Sequence, residues 1–366
     1  MQSAVLSRRS FLQTTALATA ALAASSAASP AQSGVRKRNI KLGFDNFAVR
    51  AMKWNARQHV DYAAQLGCDS VFITDFGPFE GKHDDASLAE IRKYAADKGV
   101  DIQLGSWSIC PTSKTFKKDW GTAEEHLALG LRMAKALGSP AFRVILGNSG
   151  DRATEGGIEA RIADTVKVLK SQRSRALDAG VKVAVENHSG DMQARELASL
   201  IEAAGRDYVG ANMDSGNAVW TLEDPLASLE ILGPYALTTS LRDSMLWESA
   251  NGVTVQWTAM GDGCVDLKAY FDRFEKLCPN VTVHIETISG FAREFPIYQP
   301  DFWKTFPKMA ASDLARFVAL AKKGSKIEPF KAPPGVERTK AEQDYQREQV
   351  ERSIRYCKQA LGLGLR

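Results

Sequence analysis

The chain has 366 residues, 44% of them hydrophobic and 25% charged, with a formal net charge of +4. That is ordinary globular composition, with apolar mass for one large domain or two small ones. The charge is too small to argue for a nucleic-acid partner, and five dispersed cysteines without paired spacing (Cys68, Cys110, Cys264, Cys278, Cys357) suggest neither a disulfide framework nor a Cys-x-x-Cys zinc site.

Residues 1–31 read as an export signal. Arg8-Arg9 stand in a Ser-Arg-Arg-x-Phe-Leu frame, a mild Ala/Leu/Thr run follows, and small residues near Ala28 and Ala31 make a cleavage zone. The arginine pair points to the twin-arginine route for folded proteins, and so to a periplasmic or secreted location. Arg8 and Arg9 leave with the signal and no acid does, which takes the charge from +4 to +2. No later stretch approaches the roughly 20 apolar residues of a membrane span, so no membrane contact is expected after signal removal.

From residue 39 strands and helices alternate. Strands are expected at 39–44, 69–74, 101–109, 141–146, 182–186, 208–214, 236–243 and 280–287. Each is an apolar run, as parallel strands covered on both faces should be. Helices are expected between and after them, at 55–67, 87–99, 122–138, 157–179, 194–205, 224–233, 266–277 and 312–323. Thr122 with Glu125 forms a capping box, and Pro225 sits in a first turn. Eight such units over residues 39–323 predict a (β/α)8 TIM barrel. An open doubly wound sheet is the weaker fit, because no Gly-x-Gly-x-x-Gly follows the first strand. Residues 244–265 are a loop with room for a hairpin, and residues 288–308 an aromatic, proline-rich loop. Residues 324–366 are a linker and a C-terminal helical extension. Its stripe of Val350, Ile354, Cys357 and Leu361 should dock on the barrel or on a second subunit, which leaves a homo-oligomer open.

Active sites in such barrels sit at the C-terminal ends of the strands. The fifth strand ends "VENHSGD", where Glu186 and His188, two residues apart, should project together. The sixth ends at Asp214 in "NMDSGN", with Asn217 just beyond; the seventh supplies Ser240, Arg242 and Asp243; the eighth ends at His284 and Glu286. Glu186, Asp214 and Glu286 in one barrel mouth would repel one another unless a cation sits among them. Hard carboxylate ligands suit Mn²⁺ or Mg²⁺ best, with Co²⁺, Fe²⁺ or Zn²⁺ as alternatives. A salt-bridged or capping acid is the commoner reading of any one of them, but not of three at matched strand ends. His188 is a ligand, a base, a substrate contact or a satisfied loop histidine. His284 is expected to orient a ligand through a hydrogen bond. His59, His83 and His126 read as surface groups away from the mouth. Trp107, Trp220, Phe291 and Trp303 suit stacking on a flat ligand face, although core packing is the commoner use of any single aromatic. Arg242 and Arg293 suit ligand hydroxyls or a carboxylate, and a solvated charge is an equal reading of either.

The ordered motifs "VENH", "NMDSGN", "LRD", "GDGCVD" and "HIET" resemble the xylose isomerase-like superfamily of sugar (phosphate) isomerases and epimerases, over about residues 39–323. The resemblance implies one divalent metal held by Glu, Asp, His and Glu from strands five to eight. The first Glu matches Glu186, the Asp matches Asp214 and the last Glu matches Glu286. The strand-seven pattern His-x-Lys-Asp is replaced by Ser240-Leu241-Arg242-Asp243. Three carboxylates plus water then hold the metal, or His188 replaces the missing ligand, or the metal is weak or absent. The implied chemistry is enediolate formation on a small-molecule sugar, with Glu186 and Glu286 as acid and base and His188 beside them. Trp107, His188, Asn217, Ser240, Arg242, Asp243 and Arg293 are the expected substrate contacts. Export and the lack of a Gly-rich phosphate cradle argue for an unphosphorylated sugar, oxidised (keto) sugars included. A lyase that expels a β-leaving group from a keto-sugar or glycoside is the alternative, and a sugar-binding barrel without turnover a third. DNA-repair endonucleases of the superfamily need more histidines and a more basic face than five histidines and +2 supply.

Overall fold

Apolar runs flanked by amphipathic helices bury best as a central sheet. The computed structural model describes residues 35–366, so the export signal read at 1–31 lies outside the described residues. Eight parallel strands form the barrel: β1 (Leu42–Asp45), β2 (Ser70–Ile73), β3 (Asp101–Ser108), β4 (Ala141–Ile145), β5 (Lys182–Glu186), β6 (Val209–Met213), β7 (Ala236–Thr239) and β10 (Val283–Ile285). The intervening numbers belong to a hairpin, β8 (Asp243–Ser249) and β9 (Gly252–Thr258). Pairing runs β10-β1-β2-β3-β4-β5-β6-β7. The ring is drawn shut by a single bridge, Leu241 to Ile285. There Leu241 N–H donates to His284 O at 2.7 Å and Glu286 N–H to Leu241 O at 2.8 Å. Below the bridge the Thr239 hydroxyl substitutes for backbone pairing, accepting from His284 N–H at 3.0 Å and donating to Thr282 O at 3.2 Å. The result is the expected (β/α)8 TIM barrel, nearly closed.

Residues alternate across each strand. Val183, Val185, Val209 and Ala211 pack outward in the main apolar core under the helices. The inner positions are far more polar than a run of apolar letters suggests: Ser70, Gln103, Arg143, Glu186, Asn212 and His284 are all buried. Gly105 makes room for one of them, since a Cβ there would lie 3.0 Å from that of Arg143.

The Thr122–Glu125 capping box forms and opens the helix Ala123–Leu137. The helix expected at 157–179 breaks at Gln172 into Gly157–Ser171 and Arg173–Ala179. The seventh strand stops at Thr239 rather than 243, because Asp243 begins the hairpin. A third strand, β11 (Ala292–Phe295), leaves the aromatic loop and pairs antiparallel with β9, so the two loops build one small sheet. The C-terminal helix Arg338–Gln359 docks on the chain's own barrel, with Val350, Ile354, Cys357 and Leu361 all in the core. All five cysteines are free, four of them buried, in keeping with their reading as small hydrophobes.

Two histidines expected at the surface are buried. His126 stands three residues after Ala123 and four before Gly130, on the buried face of its helix. Its Nε2 meets Ser106 Oγ at 2.7 Å. His59 packs edge-on against Trp54, while His83 stays half-buried beside Trp120. His284 also departs from expectation: its Nε2 meets Ser70 Oγ at 2.9 Å and it serves no carboxylate. Its ring lies one inward step below Glu286, at the level of the Ser70 hydroxyl.

Burial holds His126 down at about 4 from an ordinary 6.5. On acidification the unfolded chain takes this proton first, so stability falls with pH between those values. Between pH 5.5 and 4.5 the wild type is expected to lose about 1.4 kcal/mol more than His126→Gln, one proton's worth. Urea unfolding at the two pH values measures this. Equal losses would show that His126 titrates normally.

Candidate active site

Glu186 is the last residue of β5, and the pleat turns it inward, away from Val185. Its Oε2 accepts from Arg143 Nε at 2.6 Å and from Asn212 Nδ2 at 2.8 Å. Arg143 is 4% exposed and is held a second time by Ser106 O, at 2.8 Å from Nη1. Burial raises the Glu186 carboxyl, but Arg143 beside it more than offsets this and keeps it below the usual range.

Asp214 follows β6 and caps a six-residue helix, Ser215–Trp220, in a stretch to which the sequence reading assigns no element. Its Oδ1 accepts from Gly216 N–H at 2.7 Å and Asn217 N–H at 3.0 Å, and its Oδ2 from Asn217 Nδ2 at 2.6 Å. The neighbouring Asn187 fixes the backbone of Asp214 through paired bonds of 2.9 Å, which explains the asparagine of "VENH". Burial lifts the Asp214 carboxyl to about 7. Glu286, just past β10, is raised well above its ordinary value by the same cause.

Oxygens of Glu186, Asp214 and Glu286 lie within 4.8 Å of one another, and all three residues are buried. Arg242 reaches between two of them: its Nη2 donates to both Asp214 Oδ2 and Glu286 Oε2. The guanidinium lies 4.3 Å over the ring of Trp257. Trp257 in turn donates Nε1–H to Gly216 O at 2.7 Å. Gly216 has to be glycine here, since a Cβ would overlap the Arg242 stem.

Ser240 sits below the cluster. Its hydroxyl donates to Asp45 Oδ2 at 3.0 Å and accepts from Asn212 Nδ2 at 3.3 Å. Burial raises Asp45 to about 6. His188 donates from Nδ1 to Gly147 O at 2.6 Å, because a carbonyl can only accept. That leaves Nε2 unprotonated, and burial holds the ring at about 4. Asp191 anchors this loop through the N–H groups of His188 (2.8 Å) and Gly147 (3.1 Å).

Above the acids opens a cavity of about 670 Å³. His188, Asn217, Arg242, Glu286, Trp107 and Arg293 line it, so most of the sequence-expected set meets in one place. Trp220 and Phe291 join them, while Trp303 packs in a satellite core instead. Asp243 points elsewhere: its carboxylate accepts from the N–H groups of Ser244 (2.7 Å), Gly261 (3.1 Å) and Gly263 (2.9 Å) and anchors the "GDG" turn. Sequence reasoning left out Trp257, which arrives from the hairpin with no local signal, and gave Arg143, low on the fourth strand, no role although its inward register carried one. A larger cavity, about 830 Å³, lies at the opposite end of the barrel beside Lys41 and Asp101. It holds none of these acids, and that end of such barrels serves stability.

A divalent cation fits the donor set. Three buried carboxylates offer hard oxygen ligands within reach of one point. Asp45, Glu186, Asp214 and Glu286 face two buried guanidinium groups, Arg143 and Arg242. Fully ionised, four acids against two cations leave two negative charges, the charge that one divalent ion neutralises.

A parallel eight-stranded barrel with polar groups gathered at its C-terminal mouth defines the class. The chain belongs to the xylose isomerase-like TIM barrel family, whose model matches residues 60–292. Among solved structures it is similar to D-psicose 3-epimerase in the presence of D-fructose, with a TM-score of 0.57 and 14% identity over 88% of this chain and 100% of that one. IolI protein with a bound zinc atom gives a TM-score of 0.54 and 16% identity, covering 79% and 100%. The probable 3-DHS dehydratase AsbF from Bacillus anthracis gives 0.50 and 12%, covering 67% and 92%. At such identities the likeness is one of fold. No curated protein matches the chain.

Proposed function

We propose that the protein is a metal-dependent sugar isomerase or epimerase that acts through an enediolate on an unphosphorylated sugar or keto-sugar, after export to the periplasm or beyond. The observation that carries the reading is the buried Glu186–Asp214–Glu286 cluster under an aromatic-walled cavity. These three residues would hold the ion, Mn²⁺ or Mg²⁺ by ligand type. When bound, it polarises a carbonyl and lowers the pKa of the neighbouring C–H.

The rest falls to the chain's own residues. Environments that push two carboxyls apart assign an acid and a base. Glu186, kept ionised by Arg143, is the base that takes the proton from carbon. Glu286, pushed upward by burial, is the group suited to hold a proton and return it. Return to the same carbon from the other face gives the epimer; return to its neighbour gives the isomer. Asn217, donating to both Glu186 Oε1 (3.2 Å) and Asp214 Oδ2, fixes the two acids relative to each other. Trp107 offers a flat face for the sugar, whereas Trp220 is stacked on Trp257 and covered by Arg293; His188 Nε2 accepts from a hydroxyl.

A second reading has its own support. A cavity of about 670 Å³ lies in the range that encloses drug-sized ligands, more than a free monosaccharide fills. A keto-sugar with a bulky β-substituent would use that space, and the same enediolate would expel the substituent, making the enzyme a lyase.

Proton NMR in D₂O with Mg²⁺ and a panel of keto-sugars and glycosides tests both. Wild type is expected to exchange one C–H for deuterium, with substituent loss in the lyase case, and Glu186→Gln to slow exchange by at least about 100-fold. Tight sugar binding without any exchange across the panel would leave the protein a binder.

A further inference from the structure

We propose that Arg242 is the resident counter-cation of the acid cluster, and that a divalent ion enters by displacing its guanidinium from Asp214 and Glu286. This rests on the metal reading above and adds a competitor to it. Arg242 Nη2 is bonded to Asp214 Oδ2 and Glu286 Oε2 together. Those residues supply two of the three candidate ligands. An ion ligated by both oxygens sits about 2.0–2.6 Å from each, in the space that the nitrogen fills. Two cations cannot share it.

The seat of Arg242 is poorly made for a permanent ion pair. The residue is 2% exposed. Yet its Nε and Nη1 are buried without a hydrogen-bond partner among the described residues. Unmade bonds of this kind are costly in a protein interior. Arg143, the other buried arginine, provides the contrast: it is bonded through Nε to Glu186 and through Nη1 to Ser106 O. One arginine is built in, and the other holds its place with a single nitrogen.

Displacement has somewhere to lead. Arg242 borders the cavity and lies against the face of Trp257. A guanidinium sliding along the indole keeps its cation–π contact and turns its free donors toward the cavity. It needs to leave only the two oxygens, not the cluster, so the two surplus negative charges remain for the ion. Ser240 does not compete, because its hydroxyl proton is committed to Asp45.

The test is calorimetric titration of the full chain with Mn²⁺, for wild type, Arg242→Met and Arg242→Gln, with a crystal structure of the Mn²⁺-loaded wild type. Thermal unfolding verifies that the variants fold, and the glutamine variant serves if the methionine one does not. The expected result is one weak site in wild type, at least tenfold tighter binding in the variant, and a guanidinium released from both carboxylates in the loaded crystal. Equal affinities, or a guanidinium still bridging Asp214 and Glu286 beside the ion, would overturn the proposal and leave the metal reading standing. Binding by the variant alone would overturn displacement, making Arg242 a permanent substitute for the metal. Binding by neither would overturn this proposal and the metal reading together.

Discussion

Asp214→Asn is expected to fold normally, to bind Mn²⁺ more than about 100-fold more weakly than wild type, and to lose turnover in proportion. The scale follows from outer partners of metal ligands, whose loss already costs 10–100-fold. The fold is spared because Oδ1 of the asparagine still accepts from Gly216 N–H and Asn217 N–H, which start the helix Ser215–Trp220. The damage is confined to the other atom. An NH₂ in place of Oδ2 meets two donors, Arg242 Nη2 and Asn217 Nδ2, and offers a metal no lone pair. Calorimetry and deuterium exchange on the same preparation check both parts. Undiminished Mn²⁺ affinity would remove Asp214 from the ligand set.

The largest effect on stability is expected at Glu186. Glu186→Ala leaves Arg143 charged and buried, with the Ser106 carbonyl as its remaining hydrogen-bond partner. Breaking a buried pair by removing one partner costs about 3–5 kcal/mol, a large part of the stability of any domain. Two amides, Asn212 Nδ2 and Asn217 Nδ2, also lose an acceptor. Glu286→Ala should cost much less, since Arg242 keeps Asp214. The double variant Glu186→Ala/Arg143→Met should recover most of the loss, because it removes the orphaned charge together with its partner. Urea unfolding of the four proteins settles the ranking. A Glu186→Ala protein as stable as Glu286→Ala would mean that Arg143 finds water or another partner.

Much of this architecture is written locally. A strand that reads apolar and then ends in an acid announces its end of the barrel, because burial tolerates the carboxylate only where a partner waits. Glu186, Asp214 and Glu286 were legible for that reason, and so was the capping box at Thr122. What escaped depends on partners remote in sequence. β11 has nothing in its four residues that names β9, about forty positions earlier. Trp257 reaches the site only because the hairpin folds over the mouth. Asp243 looks like a mouth residue until the N–H of Ser244 and two N–H groups of a turn about twenty residues on are seen to claim it. His59 and His126 were misplaced by a rule that treats polar letters as solvent-facing. A neutral imidazole is apolar enough to share a helix's inner face when one hydroxyl or one ring edge receives it.

The seam between β7 and β10 has a mechanical meaning. Among the described residues Leu241 makes the single backbone bridge there, to Ile285; it stands between Ser240 and Arg242, and its carbonyl accepts from Glu286 N–H across the gap. The side chains of Arg242 and Glu286 repeat that connection in the mouth. The acid cluster is therefore also the clasp of the barrel. Any ligand that ties these two strands together tightens the whole ring, and binding free energy becomes resistance to unfolding through mass action. An ion held by Asp214 and Glu286 would span that gap from β6 to β10 in place of the Arg242 contact.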